Sequence, residues 1–234
     1  MNLFQGIQTN NFFLIQDEKE IHHCIHVTRH KINDEILVTD FNGMIIKARI
    51  VKISKEEIQT EIISTYVEHK LSAKITIGIS LAQSSDRFEW FLEKVTEIGV
   101  DKVVPLICKR TENTKNKLER WQKIILASSK QCLRPTLLTI SEPIKFSEIF
   151  KTSQPEQRYI CHCEDSTLPY IGKMYQPEKE VLVLIGPEGD FTNDEIEMAK
   201  SSKFKEASLG KERLRMETAG VVASVILKTI SNIQ

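Results

Sequence analysis

Over roughly the first 70 residues, apolar and polar positions alternate in short runs divided by turns. "NFFLIQ", "DEILVTD", "GMIIKARIVKI" and "EIQTEIIST" read as β-strands, and Phe41-Asn42-Gly43 reads as a hairpin turn between two of them. One helix, from about Glu20 to Thr28, interrupts what is otherwise the pattern of a small β-barrel.

After Lys74 the rhythm becomes strand then helix. "KITIGISLA" is a buried strand, and Phe88, Phe91, Leu92, Val95 and Ile98 follow at helical spacing up to a C-cap at Gly99. "KVVPLI", a helix from about Leu118 to Leu133 stopped by Pro135, "RYICHC", "VLVLIG" and a last helix from Thr218 to Ile230 continue the alternation. This predicts an α/β domain, a mostly parallel sheet covered by helices. The boundary falls near residues 70–74, giving domains 1–72 and 73–234.

The last helix is apolar almost all round. Ala219, Val222, Ala223, Ile226 and Ile230 form one stripe, and Val221, Val225 and Leu227 extend it, so burial on more than one side is expected. One side can lie on the helix's own sheet; the other points to a homodimer, or to a second internal contact.

Composition adds exclusions. With 41% apolar and 27% charged residues the chain has the make-up of an ordinary globular protein. No apolar run is long enough to span a bilayer, and "MNLFQGIQTNNFF" lacks the basic flank and apolar core of a signal peptide, so a cytoplasmic protein without a membrane partner is expected. Five cysteines without framework spacing fit a reducing compartment. Net charge is zero, yet between Lys109 and Arg134 eight Lys or Arg face only Glu112 and Glu119, a local excess of six. On charge alone this is either a solvated helix face or a patch that tracks phosphates.

Candidate chemistry gathers at two glycine-bearing turns. In "VLVLIGPEGDFTNDE" a strand stops at Gly186-Pro187, and Thr192 with Glu195 forms a capping box that opens a helix. In "ASLGKERLRMETAG", Ser208-Leu209-Gly210 closes a short strand and leads through Arg213 and Arg215 to Glu217 and the last helix. Two such turns at the carboxyl ends of strands can wall one pocket. Neither a Lys-Ser/Thr phosphate loop nor a Gly-x-Gly dinucleotide turn occurs, which leaves Gly186 and Gly189 as positions where backbone can approach a ligand closely.

The pair "IGPEGDF…E" and "SLGKERLRMETA", with "FLEKVTEIGVDKVVPL", "ERWQKIILASSKQCLRP" and "HCIHVTRHKINDEI", resembles in order and spacing the RsmE family of ribosomal RNA uridine N3-methyltransferases. The resemblance covers nearly the whole chain. It implies a PUA-like, RNA-binding β-barrel at residues 1–72 and a SPOUT methyltransferase domain with a trefoil knot at 73–234. It also implies S-adenosyl-L-methionine as cofactor, a homodimer, and small-subunit ribosomal RNA or the 30S subunit as partner. The adenosyl group would lie against the backbone of Leu184, Ile185, Gly186, Pro187, Glu188 and Gly189 and of Ser208, Leu209 and Gly210, with Leu214 as apolar cover.

The reaction so implied is an in-line displacement at a sulfonium methyl, which depends on alignment and on dealing with the proton of uracil N3. Arg215 suits stabilisation of charge on a uracil carbonyl; Glu217 is either a base or a residue that orients Arg215. Arg110, Lys115, Lys117, Arg120 and Arg134 become expected phosphate contacts, with Arg29 and Lys31 on the barrel and Arg87 and Lys94 at family positions beside them. The chain departs from the family pattern in three turns. Asp190 stands where a second glycine is common, Asn33 where Gly is usual, and Phe41 replaces a turn glycine; Thr28 also replaces a usual Leu.

Two competing functions are defined by what they would lack. A non-catalytic RNA-binding assembly factor has no use for Gly186, Gly189, Gly210 and the Arg215-Glu217 pair, and a phosphotransferase needs a Lys and a metal carboxylate at spacings not found here. A metal site is not expected, because strand alternation sends His162 to the opposite face from Cys161 and Cys163. His22, His26 and His30 read as a solvated or RNA-facing helix, and Trp90 and Trp121 as packing residues.

Overall fold

The computed structural model describes residues 2–68, 73–152, 155–163 and 167–232. The chain forms two compact units, Met1–Leu71 with Leu126–Leu137, and Ser72–Ile125 with Leu138–Gln234. Residues 69–72, where the sequence places the domain boundary, lie outside the described residues.

In the first unit the strands are β1 (Leu3–Gln5), β2 (Ile7–Thr9), β3 (Phe12–Ile15), β4 (Glu35–Thr39), β5 (Met44–Ile53) and β6 (Ile58–Glu68), in the order β1-β4-β5-β6-β3-β2. All neighbours are antiparallel except β1 and β4. The two edge strands are consecutive in the chain and joined by Gly6 alone, so the sheet has to curl into a half-barrel for both edges to be reached. Alternate residues Phe13 and Ile15, Ile46, Ala48 and Ile50 face one core with Phe4, Ile36 and Ile58.

Helix α1 (Glu18–His22) is capped by Asp17, whose carboxylate accepts from the amides of Lys19 and Glu20, and continues as a π-helix over His23–Val27. His22 and His26 are exposed with ring centroids 4.9 Å apart. The hairpin turn forms where the sequence predicts it, between β4 and β5. Residues 126–137 pack onto this unit through Leu126 and Leu133 against Leu3, Leu37, Phe41 and Ile45.

The second unit is built on β7 (Ile75–Ser80), β8 (Lys102–Ile107), β9 (Thr139–Ile140), β10 (Ile144–Lys145), β11 (Gln157–Cys161), β12 (Val181–Ile185) and β13 (Lys205–Ala207). Every pairing among them is parallel, in the order β10-β8-β7-β12-β11-β13 with β9 on β8. The helices are α2 (Ser85–Ile98), α3 (Leu118–Gln131), α4 (Ile171–Met174), α5 (Asn193–Ser201) and α6 (Met216–Asn232).

The uninterrupted apolar run of β12 has a direct cause. Val181, Val183 and Ile185 enter a core with residues of α2, α3 and α6, while Leu182 and Leu184 enter a second core with Phe191, Ile196 and Ala199 around α5. A strand buried on both faces has no polar side to alternate with.

Two helix faces differ from expectation. The side of α6 that is buried carries Met216, Glu217, Gly220, Ala223, Ser224 and Leu227, whereas Ala219, Val222, Ile226 and Ile230 are half-buried and Val225 is exposed. A helix apolar on most sides cannot be phased by periodicity, and Gly220 and Ser224 carry little apolar weight although both are buried and Gly220 lies against Phe91 of α2. Trp121 is buried as expected; Trp90 is 43% exposed, one position off the Phe88, Phe91, Leu92 and Val95 face.

Candidate active site

Parallel strands bring their carboxyl ends to one edge, and there the exits of three neighbours, β8, β7 and β12, are joined by hydrogen bonds. The turn after β12 is held by Asp190 N–H donating to Pro187 O at 2.9 Å. Thr192 caps α5 with Glu195 as predicted, and the Glu195 carboxylate also accepts from the Lys109 amide at 2.8 Å. From the exit of β7, the amide of Gln83 donates to Glu188 Oε1 at 3.2 Å. From the exit of β8, Asn113 Nδ2 donates to Ala82 O at 3.2 Å, and Ser80 and Thr111 hydroxyls meet at 2.8 Å.

Within this turn Gly189 has φ +90°, a conformation that suits glycine, and a Cβ there would have only Arg110 Cδ as neighbour, at 3.7 Å. Asp190 follows with φ +68°. Its carboxylate offsets the strain by accepting two backbone amides, Phe191 N at 2.8 Å and Cys163 N at 2.7 Å. Asn33 and Phe41, the other two positions where the resemblance expects glycine, also have positive φ, 74° and 59°.

The second turn is anchored beside β11. Ser208 donates its amide to Pro169 O and accepts from Ile171 N, at 2.9 and 3.0 Å, and its hydroxyl bridges to both backbone groups of Gly210. Gly210 has φ +145° and open space where a side chain would be. Leu209 packs on the α2–α6 side of the sheet and Leu214 is half-buried. Leu184 to Pro187 are buried, while Glu188, Gly189 and Gly210 are exposed.

Glu217 opens α6 with a side chain only 8% exposed. Its Oε1 lies 3.9 Å from Arg87 Nε, and its Oε2 is buried with no hydrogen-bond partner among the described residues. The expected alternative, an ion pair between Arg215 and Glu217, is not what forms: Arg215 is exposed and Arg87, from α2, is the cation beside Glu217. An orphaned carboxylate oxygen at the start of α6 is an acceptor without a donor among the described residues.

The expected phosphate contacts fall into distinct settings. Arg110 spends its Nη1 on the backbone carbonyls of Gly189, Asp190 and Phe191. Arg120 donates to Glu89 Oε2 at 2.7 Å, and this carboxylate raises its pKa; Lys94 lies between Glu93 and Glu97, which raise its own. Arg134, in the first unit, is 9% exposed with its Nε on Thr136 Oγ1. Arg29, Lys31, Arg87 and Lys115 are exposed and Lys117 is half-buried.

Sequence reasoning missed Gln83, Glu112 and Asn113, which tie the strand exits together. Their only signal is position, just beyond an apolar strand. His162 leaves β11 on the side opposite Cys161, as alternation requires, and its Nε2 lies 3.1 Å from Glu206 Oε1. Among the described residues no group of three His, Cys, Asp or Glu is placed to hold a metal ion, and no helix is long and apolar enough to cross a membrane.

Comparison with known proteins concerns the chain as a whole. The sequence pattern of the RNA methyltransferase domain matches residues 69–228, and that of the RNA methyltransferase PUA domain matches residues 15–63. The ribosomal RNA small subunit methyltransferase E of Buchnera aphidicola is 30% identical over 96% of this chain and 90% of its own length. A probable rRNA-methyltransferase from Porphyromonas gingivalis superposes with a TM-score of 0.88 at 31% identity, over 100% of this chain and 99% of that one. A ribosomal RNA small subunit methyltransferase E from Neisseria gonorrhoeae bound to S-adenosyl methionine superposes at 0.86 with 26% identity, over 98% of both chains. A half-barrel and a parallel sheet with paired glycine turns, matched along nearly their full length, place this chain in the ribosomal RNA small subunit methyltransferase E family.

Proposed function

We propose that the protein transfers a methyl group from S-adenosyl-L-methionine to N3 of a uridine in small-subunit ribosomal RNA. The observation that carries this reading is the match of the RNA methyltransferase domain over residues 69–228, to which the structure adds two glycine turns that follow parallel strands and, at the start of α6, a buried glutamate with one oxygen unpartnered among the described residues. The turns fit a ligand held by backbone: at Gly189 and Gly210 the main chain is exposed, with little or nothing among the described residues where a side chain would stand.

In this reading Leu184 to Gly189 and Ser208 to Gly210 hold the cofactor, with Leu214 against its apolar side. When bound, the cofactor supplies a methyl group on a sulfonium, and what remains for the protein is alignment and the N3 proton. Glu217 Oε2 accepts that proton, and Arg87 holds the carboxylate in place. Arg215, exposed and not drawn to Glu217, donates to the uracil carbonyl that gains charge.

Lys115, Lys117, Lys94 and Arg120 on the second unit, and Arg29 and Lys31 on the first, supply the phosphate contacts of the substrate, naked RNA or 30S subunit; Arg134, buried with its Nε on Thr136 Oγ1, and Arg87, beside Glu217, do not. Residues 1–72 act as the PUA-like RNA-binding domain and 73–234 as the SPOUT domain. The strand order, with β12 between β7 and β11, and the return of α6 to α2 and β7 support a trefoil-knotted path. Val225, exposed between half-buried Val221 and Val222, supports a homodimer in the cytoplasm.

Arg215→Ala is expected to abolish methylation of ribosomal RNA while leaving cofactor affinity within about fivefold, because its donors act on the substrate. Calorimetry with S-adenosyl-L-methionine and mass spectrometry of the RNA read the two effects separately. Loss of cofactor binding in this variant would assign Arg215 a structural role. Retention of N3-methyluridine in a strain lacking the protein and any redundant enzyme would overturn the reading as a whole.

A further inference from the structure

Arg110 lies in the basic segment whose charge predicts RNA binding, yet its guanidinium is engaged elsewhere. Nη1 donates to Gly189 O and lies 3.4 Å from Asp190 O and 3.3 Å from Phe191 O, three successive carbonyls. The N–H ends of the same three peptide units are also held: Asp190 N by Pro187 O at 2.9 Å, Phe191 N by Asp190 Oδ1 at 2.8 Å, and Thr192 N by Glu195 Oε2 at 2.9 Å. Each unit is therefore pinned at both ends.

The segment that carries Arg110 is itself fixed. The amide of Lys109 donates to Glu195 Oε1, the Thr111 hydroxyl accepts from Cys108 N at 2.8 Å, and Glu112 accepts from Gln83 Nε2 at 2.5 Å. Since Gln83 N in turn donates to Glu188, the exits of β7, β8 and β12 form one closed ring of hydrogen bonds. A phosphate approaching Nη1 would have to compete with the three carbonyls already converged on that nitrogen.

From this geometry we infer that Arg110 is a positioning residue for the cofactor turn and not a phosphate contact. It converges three carbonyls that would otherwise repel, and so presets the backbone of Gly186–Gly189 in the form that receives the ligand. The inference rests on the proposed role of that turn in cofactor binding, and it predicts a cofactor defect where charge alone predicts an RNA defect.

The test compares full-length Arg110→Ala and Arg110→Lys with the unaltered protein. Amide exchange across residues 186–195, measured without ligand, is expected to accelerate about tenfold in Arg110→Ala. The dissociation constant for S-adenosyl-L-methionine is expected to rise about tenfold, the lower end for loss of a charged donor because the site is exposed. Arg110→Lys, which keeps the charge but not the planar fork, is expected to fall between the two. RNA affinity and its salt dependence should not change.

Unaltered exchange together with cofactor affinity within about twofold would overturn the inference, as would a salt slope of RNA binding reduced by about one, the mark of a lost phosphate contact. If the unaltered protein binds no S-adenosyl-L-methionine, the cofactor reading fails, and the exchange data still decide whether Arg110 braces the turn. If Arg110→Ala does not fold, Arg110→Lys is read by the same two measurements.

Discussion

Replacing Asp190 with glycine sets two effects against each other at the edge of the cofactor turn. Glycine suits φ +68°, and a non-glycine residue in this region is strained by about 1 kcal/mol, less for Asp than for most. Relief of that strain is nearly cancelled, because glycine gains about 0.4–1 kcal/mol of freedom in the unfolded chain. What remains is the loss of a carboxylate that accepts Phe191 N at 2.8 Å and Cys163 N at 2.7 Å.

Hydrogen bonds to a charged acceptor contribute about 1.5–3 kcal/mol each where water cannot replace them. Phe191 is buried and counts in full, whereas Cys163 is exposed and its amide can be hydrated. Asp190→Gly should therefore lose about 2–3 kcal/mol, a fall of roughly 4–12 °C in the melting temperature of the second unit by scanning calorimetry. Asp190→Asn, which keeps one oxygen, should fall less. If Asp190→Gly proves as stable as the unaltered protein, strain outweighs the carboxylate and the account given for this residue is wrong.

Two further outcomes are expected. Gly220→Ala places a Cβ 2.5 Å from Phe91 Cε2 and 2.8 Å from Ile79 Cδ1, so overpacking between α6 and α2 should cost about 1–3 kcal/mol in urea unfolding; an unchanged midpoint refutes that contact. Burial pushes the Cys24 thiol up to about 11 and also raises Cys108 and Cys161, so these three thiols should resist a thiol reagent that reaches exposed Cys132 and Cys163. Buried thiols ionise first in the unfolded chain, near 9, so stability is full below that pH and should decline from pH 9 toward 11; a constant urea midpoint across that window would contradict it.

Much of the fold is legible in periodicity because burial imposes it directly. The bounds of β12, the capping box at Thr192 and the C-cap at Gly99 follow from local rules and stand where those rules put them. The turn positions Asn33, Phe41 and Asp190 keep positive φ although none is glycine. These turns hold a left-handed geometry without glycine through partners such as Thr39 Oγ1, which accepts from Phe41 N at 2.9 Å.

Pairings between distant segments are another matter, because they depend on which strand exits become neighbours. Charge counting treats Arg110 and Lys115 alike; only strand order sets Arg110 against the carbonyls of Gly189 to Phe191. It likewise brings Arg87 from α2 to Glu217, where adjacency in sequence points to Arg215.

Four of the six half-barrel strands, the βα alternation and both glycine turns are legible in the chain, since they express short-range propensity and a burial period; β1 and β2, three residues each, are too short to show one. Only the tertiary structure decided which face of α6 is buried, that Trp90 is exposed, that Glu217 keeps an oxygen unpartnered among the described residues and that Arg110 is spent on backbone. The physical reason is that a side chain's chemistry follows from its composition, whereas its partner is fixed by the order in which parallel strands lie side by side.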